Sequence, residues 1–432
     1  MKVLIIGSGG REDALAWKLN GEDSIDEVLV CPGNIGMKRL AKVELIEAMD
    51  FESLSQLART RGVSLCICGP EAPLTQGIST LFENQDINFF GPSREAAQLE
   101  GSKIFSKEFM KEHSIPTAPF TVASDYESAL EIIRAWGVEE RGVVLKADGL
   151  AGGKGVVVTH SLKEAESCLY DFMKDESVSV KTDKILIEEV LRGVEVSCFA
   201  LCSGEGFFFL GSACDHKRVG DGDTGPNTGG MGCYRDRSWP NTNLQKKVIE
   251  QVLKPTLKGM KEKSHPFTGF LFMGLMIDEF NEPSVIEYNV RMGDPETQTL
   301  MPLLEGMLGL SLKGLTQGAK ETDLKLIDKD SVHVVMTSGG YPSIGKHSMS
   351  LGHKITFKDP QALQEMGELF FAGVKSQGID ITNSGGRVLG VTCVGDSIEE
   401  CRKQVYSAIE LVDFKDGHYR RDIGQSIRGE QA

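Results

Sequence analysis

The stretch PSVIEYNVRMGDPETQ combines residue types that bind metal ions and phosphates. Side chains alternate between the two faces of a strand, so Glu287, Asn289 and Arg291 would share one face. A carboxylate and an amide oxygen on one face can hold Mg²⁺, because this ion prefers oxygen ligands. The guanidinium beside them suits a phosphate. Since Asp294 and Glu296 follow after a glycine turn, the stretch predicts a metal and phosphate site at a strand end.

A second stretch, VVLKADGLAGGKGVVV, has the composition of a flexible hairpin over a nucleotide. One strand delivers Lys146, a glycine-rich loop carries Lys154 at its tip, and another strand follows. Glycines let such a loop bend and place its amide groups near an anion. The P-loop signature is absent, so the pattern favours a lid that closes on phosphates. A surface hairpin with solvated lysines is the alternative.

The stretch ILIEEVLRGVEVSCFAL places acidic residues where one apolar strand ends and the next begins. Backbone groups around Glu189 and Val190 could recognise an adenine, and the Glu195 carboxylate could recognise a ribose. The alternative is that these acids are solvated strand ends.

The loop DHKRVGDGDTGPNTGGMG, from Asp215 to Gly232, is rich in glycine and charge and nearly free of apolar residues. Loops of this length inside a compact domain are usually functional or disordered. The turn Gly225-Pro226-Asn227 favours an ordered binding loop.

These motifs need elements to position them, and the first hundred residues alternate strands with helices. Strands are expected at Lys2–Ile6, Glu27–Cys31, Leu65–Cys68 and Ile87–Phe90, with helices such as Glu12–Leu19 and Phe51–Thr60 between them. The alternation predicts a parallel sheet, whose ligands bind beyond the carboxyl ends of the strands. Farther along the chain, a long helix is expected near 243–263.

The first loop of this sheet, GSGGRE, resembles a dinucleotide-binding turn but departs from it at one essential position. Glu12 stands where the third glycine of G-x-G-x-x-G is needed, and the acid that would bind ribose is missing from CPGN. Hydride chemistry is therefore disfavoured. The loop is either a tight strand–helix turn or a site for one phosphate or polar group.

Composition excludes several classes of function. With 432 residues, the chain suits about two to four domains. A net charge of −15 disfavours nucleic-acid binding. No run approaches the ~20 apolar residues of a membrane span, and VLII is too short for a signal peptide, so we expect a cytoplasmic protein. The ten cysteines include no C-x-x-C pair, which favours buried, reduced thiols.

Together the motifs resemble the ATP-grasp superfamily and, within it, the phosphoribosylamine–glycine ligase (glycinamide ribonucleotide synthetase) family of purine biosynthesis. The resemblance runs from Met1 to about Gly424 and also includes GPEAPL, QLEGSK, SGGYP, GGRVLGVT and YRRDIG. It implies an α/β plus α+β fold: an N-terminal parallel-sheet α/β domain, an ATP-grasp core with a mobile lid, and a small C-terminal domain. The implied ranges are 1–102, 103–328 with the lid at about 122–190, and 329–424, followed by a polar tail at 425–432.

The resemblance implies a role for each motif. ATP would be bound by Lys103, Lys146, Lys154, Glu188, Glu189, Val190 and Glu195, and Mg²⁺ or Mn²⁺ by Glu287 and Asn289. Glycine and phosphoribosylamine would be bound by Gly9, Gly10, Arg11, Glu12, Asp215, Lys217, Asp294, Pro295 and Glu296. Arg291, Lys146 and Asp215 would act in catalysis.

The implied reaction joins glycine to 5-phosphoribosylamine through a glycyl phosphate, with release of ADP and phosphate. Phosphoryl transfer needs positioning and charge neutralisation more than covalent help, which fits a site of lysines, arginine and metal ligands. The expected partners are these small molecules, without nucleic acid or membrane, and the chain is expected to act as a monomer.

Three positions depart from the family pattern. Asp13 replaces a histidine after GGRE, Phe371-Ala372-Gly373-Val374 replaces HAGT, and CYRDRSWP replaces a Ser-Pro-Ala-Pro stretch. These departures concern phosphoribosylamine or the domain junction more than ATP. They leave open an ATP-grasp ligase for another carboxylate and amine, or a nucleotide-binding regulator without catalysis.

Overall fold

The computed structural model describes residues 1–151, 155–175, 181–343 and 348–425. Its N-terminal part is the expected parallel sheet, with strands in the order β3-β2-β1-β4-β5. The strands are β1 (Lys2–Gly7), β2 (Glu27–Pro32), β3 (Val43–Leu45), β4 (Val63–Cys68) and β5 (Asn88–Phe90). The helices are α1 (Gly10–Asn20), α2 (Phe51–Arg61), α3 (Glu71–Thr75), α4 (Ile78–Glu83), α5 (Gln98–Gly101) and α6 (Lys103–Glu112), with a 3₁₀ turn at Ile35–Arg39.

The centre of this sheet is buried on both faces, as its apolar sequence requires. Val3, Leu4 and Ile5 are fully buried, because helices cover both sides of a parallel sheet. Helix α2 begins at the Asp50 cap, whose side chain accepts a hydrogen bond from the amide of Ser53, and ends at Gly62 with a φ of 73°. The four expected strands are confirmed, whereas the short β3 carried no clear signal.

The segment expected to form the lid, about 122–190, folds with β6 into a separate antiparallel sheet in the order β6-β9-β7-β8, and we call this unit the lid. It consists of β6 (Phe120–Ala123), β7 (Val143–Ala147), β8 (Val156–Thr159) and β9 (Ile185–Glu188), with helices α7 (Tyr126–Trp136), α8 (Val138–Arg141) and α9 (Leu162–Met173). Its buried residues, such as Ile133, Leu145 and Leu169, form a hydrophobic cluster of their own. The lid is therefore a distinct packing unit.

A long sheet forms the centre of the molecule, in the order β16-β15-β10-β11-β14-β19-β24-β21. Its strands are β10 (Val194–Ser203), β11 (Gly206–Asp215), β14 (Gly232–Arg235), β15 (Thr268–Ile277), β16 (Pro283–Asn289), β19 (Asp330–Thr337), β21 (Glu368–Phe371) and β24 (Arg387–Gly395). Neighbouring strands pair antiparallel. The β14–β19 pairing carries the sheet across the domain boundary expected at residue 328.

Shorter strand pairs and helices complete the fold. The pairs are β12 (Arg218–Gly220) with β13 (Thr224–Asn227), β17 (Leu304–Glu305) with β18 (Lys325–Leu326), β20 (Thr356–Phe357) with β25 (Val412–Asp413), and β22 (Val374–Gln377) with β23 (Asp380–Asn383). The helices are α10 (Thr242–Val248), α11 (Lys254–Glu262), α12 (Glu296–Leu300), α13 (Leu308–Thr316), α14 (Pro360–Met366) and α15 (Ile398–Ile409), with a 3₁₀ turn at Met301–Leu303. The helix expected near 243–263 contains a π-helical turn at Ile249–Leu253, between α10 and α11.

The remaining composition-based expectations have simple outcomes. All ten cysteines are buried free thiols, as expected. No helix in the described ranges is both long enough and apolar enough to span a bilayer.

Candidate active site

A cleft of about 410 Å³ lies where the lid, the end of β16 and the loops after β1, β11 and β16 meet. It gathers residues from all the chemical motifs of the sequence. The expected site residues that line it are Arg11, Lys103, Lys146, Glu188, Asp215, Lys217, Glu287, Asn289, Arg291, Asp294 and Glu296. The site is therefore assembled from segments that are far apart in the sequence.

Strand β16 presents the expected metal-binding residues to the cleft. Burial would raise the pKa of the Glu287 carboxyl, but the charges of Lys217, Lys146 and other nearby cations lower it overall. Within the described part of the chain, this ionised carboxylate has no hydrogen-bond donor, and Asn289 Oδ1 accepts from Arg291 Nη2 at 2.8 Å. An available carboxylate beside an amide oxygen is a donor set that suits a hard divalent cation.

The described residues contain no group of three or more His, Cys, Asp or Glu side chains that could form a metal site on their own.

Arg291 is held firmly beside the metal-binding pair. Its Nη2 also donates to Glu100 at 2.8 Å, and its Nε lies 3.5 Å from Glu71. These two carboxylates come from α5 and α3, so helices of the N-terminal part fix a side chain that lies just after the end of β16. The guanidinium lines the cleft, and its role in binding a phosphate stays a prediction.

The lid side of the cleft contains lysines from α6 and β7. Lys103 donates to the carbonyl of Gly149 at 2.7 Å, and Lys146 donates to the carbonyl of Ile286 at 3.1 Å. Lys146 also forms an ion pair with Glu188 at 3.1 Å. The cleft thus holds the buried Lys146 and the partly buried Lys103 close to Gly149. Lys154 lies outside the described residues.

Lys107 is a cleft residue that the sequence reasoning missed. It is 2% exposed, pairs with Glu188 at 3.1 Å and donates to Thr117 at 2.6 Å. Burial lowers the pKa of its ammonium to about 8, although Glu188 opposes the shift. Lys107 lies one helical turn after Lys103 in SKIFSKEF, and this spacing was the available signal.

The Glu188 carboxylate therefore forms ion pairs with two lysines, Lys107 and Lys146. Glu189, Val190 and Glu195, the expected adenine- and ribose-binding residues, are not among the described residues that line the cleft, although Glu189 directly follows Glu188 in the chain. The amide of Glu189 donates to the carbonyl of Pro119 at 3.0 Å, so adenine would need other backbone groups of this segment. Glu195 forms an ion pair with Lys217.

The opening glycine loop is shaped by its own acidic residue. Glu12 is 2% exposed and accepts hydrogen bonds from the amide of Gly9 and from Arg11 Nε, each at 2.6 Å. A Cβ atom on Gly10 would lie 2.4 Å from Gln298 Nε2, so this glycine allows α1 to pack against α12. Glu12 and Gly10 thus have structural roles in the loop, and Arg11 lines the cleft. The substrate contacts expected for Gly9, Gly10 and Glu12 stay predictions.

The other end of the cleft contains the carboxyl groups of Asp215, Asp294 and Glu296, and we call it the acidic end. Glu296 is 4% exposed, and burial and the neighbouring Asp215 raise the pKa of its carboxyl to about 7. Ser197 donates to Glu296 at 3.3 Å. The carboxyl of Asp294 has a lowered pKa, because Arg387 and Arg11 outweigh the effect of burial. Pro295 lies between the two acids and precedes α12.

Arg387 is a second functional candidate that the sequence reasoning missed. It begins β24, lines the cleft and lies 3.3 Å from the carboxylate of Asp294. It also donates to the carbonyls of Gly229 and Asp294. The motif GGRVLGVT contains it, but nothing in that motif indicates which part of the cleft it reaches.

The residues that depart from the family pattern lie at a domain junction. Asp13 is fully buried, pairs with Arg39 at 2.8 Å and accepts from the amide of Phe371 at 2.6 Å. The Arg39 guanidinium lies 5.2 Å from the centre of the Phe371 ring. Two of the departures are thus in direct contact, where α1 meets β21.

The third departure, CYRDRSWP, begins within β14 and continues past the end of that strand. There Arg235 and Arg237 donate to backbone carbonyls of Lys329 and Asp328. Among the described residues that line the cleft, none belongs to the three departing segments.

Three family models match the chain in succession. The N domain of phosphoribosylglycinamide synthetase matches residues 1–100, its ATP-grasp (A) domain matches 101–297, and its C domain matches 331–426.

Curated relatives match along the whole chain. The phosphoribosylamine–glycine ligases of Pseudomonas syringae and Chlorobaculum tepidum are each 42% identical; the alignments cover 98% of this chain and 97% and 99% of those proteins. A bifunctional purine biosynthetic protein of Pichia angusta is 41% identical over 429 residues. The chain spans about half the length (53%) of that relative.

Solved structures show the same similarity. The phosphoribosylamine–glycine ligase of Thermotoga maritima is 34% identical, with a TM-score of 0.82 and coverage of 98% of this chain and 100% of that chain. A biotin carboxylase from Campylobacter jejuni, at 14% identity and a TM-score of 0.71, covers 96% of this chain and 92% of its own. The latter shares the fold alone.

Proposed function

The chain belongs to the phosphoribosylglycinamide synthetase family, and from that membership we propose how its cleft divides the work of the reaction. The reaction is the ATP-dependent ligation of glycine to phosphoribosylamine in purine biosynthesis. One observation carries the proposal: Lys103, Lys146 and the group Glu287, Asn289 and Arg291 line the same cleft as the carboxylates of the acidic end.

We assign the lid side of the cleft to ATP. Lys103 and Lys146 would contact its phosphates, backbone groups of Glu189 and Val190 its adenine, and Glu195 its ribose. Lys146 is buried and Lys103 partly buried, and both ammonium groups are already held by carbonyl or carboxylate partners. Preorganised charges of this kind cost little reorganisation when a phosphoryl group moves.

Glu287 and Asn289 would hold the divalent metal, Mg²⁺ or Mn²⁺. When bound, such an ion neutralises phosphate charge. Arg291, fixed by Glu100 and Glu71, adds a positive charge that belongs to the chain itself.

The acidic end of the cleft is assigned to the amine chemistry. A carboxylate oxygen of glycine attacks the γ-phosphorus of ATP, which forms glycyl phosphate and releases ADP. The amine nitrogen of phosphoribosylamine then attacks the carbonyl carbon, and phosphate leaves. The attacking nitrogen loses a proton in this step, and we assign its acceptance to Asp215 or Glu296, two carboxylates that line the cleft.

The basic residues at this end would bind the anionic groups of the two substrates. Lys217, Arg11 and Arg387 line the same part of the cleft as Asp294. The glycyl phosphate would hydrolyse if water entered, so a lid that closes over the site has a chemical purpose.

The remaining assignments are also proposals. The domain ranges are 1–102, 103–328 and 329–424, with a lid at about 122–190 that moves. We further propose a monomer that acts in the cytoplasm. No observation in the described cleft favours a different carboxylate and amine pair or a non-catalytic regulator, because the departing segments lie away from it.

The test is ADP release from Mg-ATP with glycine, with phosphoribosylamine generated in situ, and with both. Release that requires both co-substrates is expected, and release independent of glycine would contradict the proposal. Lys146→Ala should lower kcat/KM for ATP by roughly ten- to a hundredfold, since a charge-assisted contact contributes about 1.5–3 kcal/mol. Lys163→Ala, at an exposed position of the lid, is the matched control.

A further inference from the structure

The glycine-rich hairpin formed by β12 and β13 is held by the C-terminal segment of the chain. Arg420 is 1% exposed, and its Nη1 donates to the carbonyl of Arg218 at 3.0 Å and to Asp223 at 2.7 Å. Its Nε and Nη2 donate to Asp422 at 2.7 Å each. One buried guanidinium thus joins the hairpin to a carboxylate of its own segment.

Further contacts follow along the same two segments. The amide of Gly222 donates to Asp422 at 2.8 Å, and the amide of Arg421 donates to Asp221 at 2.8 Å. His418 Nε2 lies 2.9 Å from the carbonyl of Val219. The hairpin tip also adopts left-handed backbone angles, with φ of 65° at Gly222 and 52° at Asp223. The C-terminal segment therefore holds a tip of defined shape.

The base of this hairpin is part of the cleft wall. Lys217 immediately precedes β12 and Thr228 immediately follows β13, and both line the cleft. The Thr228 amide and hydroxyl donate to the Lys217 carbonyl at 2.7 and 2.8 Å. A change in the hairpin's position is thus transmitted directly to these two residues.

The same segment also contacts the strand end that leads into the hairpin. The amide of Gly424 donates to His216 Nε2 at 3.2 Å, and His216 follows Asp215 of the cleft. The first part of the loop, from His216 to Asp223, is consequently tied to residues 418–424.

We propose that Arg420, together with Asp223 and Asp422, is a positioning group for the glycine- and phosphoribosylamine-binding end of the cleft. It acts through the hairpin and contacts no substrate itself. The identity of the two substrates rests on the proposed function, whereas the clamp rests on the contacts above. Because the phosphates of ATP are assigned to α6 and β7, loss of the clamp affects the other substrates more than ATP.

The test uses Asp223→Ala, because Asp223 is 37% exposed and its removal leaves Arg420 paired with Asp422. Asp223→Asn keeps an oxygen acceptor for Arg420 and is the conservative variant. Asp380→Ala is the matched control: its side chain is 38% exposed and pairs with Lys354 at 2.8 Å, away from the hairpin. All three are made in the full chain.

Asp223→Ala should speed amide exchange in residues 218–227 by about tenfold or more, with little change in thermal unfolding. It should raise KM for glycine or phosphoribosylamine by about fivefold or more, and that for ATP less than about twofold, since small misplacements weaken substrate positioning. Asp223→Asn should fall between Asp223→Ala and the wild type, and the Asp380 control should match the wild type.

Unchanged exchange in the hairpin would overturn the clamp, and changed exchange with unchanged KM values would overturn its positioning role. An equal rise in all three KM values would also overturn it. Wild-type protein that releases no ADP with glycine and phosphoribosylamine would instead contradict the proposed function. In that case, the exchange comparison still decides whether the clamp holds the hairpin.

Discussion

At the scale of single residues, burial gives similar side chains different tasks. The Glu12 carboxylate accepts hydrogen bonds from Gly9 and Arg11 and so fixes the shape of a loop. Glu287, which is only partly buried, keeps an ionised carboxylate available to the cleft. Glu296 has its pKa raised to about 7. Residue type alone does not separate these roles, because the partners that decide them come from other segments.

The first prediction concerns the pH dependence of catalysis. A protonated Glu296 carboxyl cannot accept the proton that the amine loses. Because the pKa of this carboxyl is about 7, kcat/KM for phosphoribosylamine should fall as the pH drops through about 7. Glu296→Gln should lower kcat/KM above pH 7 by about tenfold or more and remove this limb of the profile. Steady-state kinetics at several pH values measure both effects.

Glu279→Gln, in an exposed turn, is the control for this substitution. A Glu296→Gln enzyme that keeps the wild-type pH profile would show that another group accepts the proton.

At the scale of elements, the contact between α1 and β21 explains what Asp13 does. Its carboxylate joins Arg39, after the first crossover, to the backbone of Phe371 in the C-terminal part of the chain. Burial raises the pKa of the Asp13 carboxyl, against the opposing effect of Arg39. The residue that departs from the family pattern is therefore part of a junction between elements.

The second prediction follows from this junction. Asp13→Ala removes the partner of Arg39 and leaves the buried amide of Phe371 without its acceptor. The free energy of unfolding should fall by about 2–4 kcal/mol, because breaking a buried ion pair leaves uncompensated polar groups. Urea unfolding measures the change, and kcat/KM of the folded variant should stay near the wild-type value.

The exposed pair Arg134–Glu166, at 2.8 Å, provides the comparison. Glu166→Ala should cost less than about 1 kcal/mol, as surface ion pairs do. An Asp13→Ala variant as stable as this control would show that the junction pair contributes little.

At the scale of the whole molecule, local patterns predicted the sheet of the first hundred residues and the Glu287–Asn289–Arg291 face. Both are periodic features that one segment contains by itself. Lys107 and Arg387 were missed, as was the contact between Asp13 and Phe371, because these roles depend on pairing between distant segments. The expected small C-terminal domain agrees with the C-domain model that matches residues 331–426, but the pairing of its strand β19 with β14 of the central sheet was not predicted.

The third prediction concerns this continuity. A chain that ends at residue 328 lacks β19, so β14 loses its neighbour and becomes an edge strand. Unpaired backbone groups on an edge strand favour association with another chain. We expect this fragment to form oligomers or aggregates at micromolar concentration, measured by light scattering after size-exclusion chromatography.

The full-length chain under the same conditions is the control for association. A fragment that stays monomeric and folded would contradict the importance of the β14–β19 pairing.

The same pairing has a consequence for synthesis on the ribosome. About 95 residues separate the end of β14 at Arg235 from the start of β19 at Asp330. At about 5–20 residues per second, the edge of β14 waits roughly 5–20 s for its partner. During that interval the nascent chain carries an incomplete sheet, so slow translation through residues 236–330 would lengthen the period in which a chaperone has an open edge to bind.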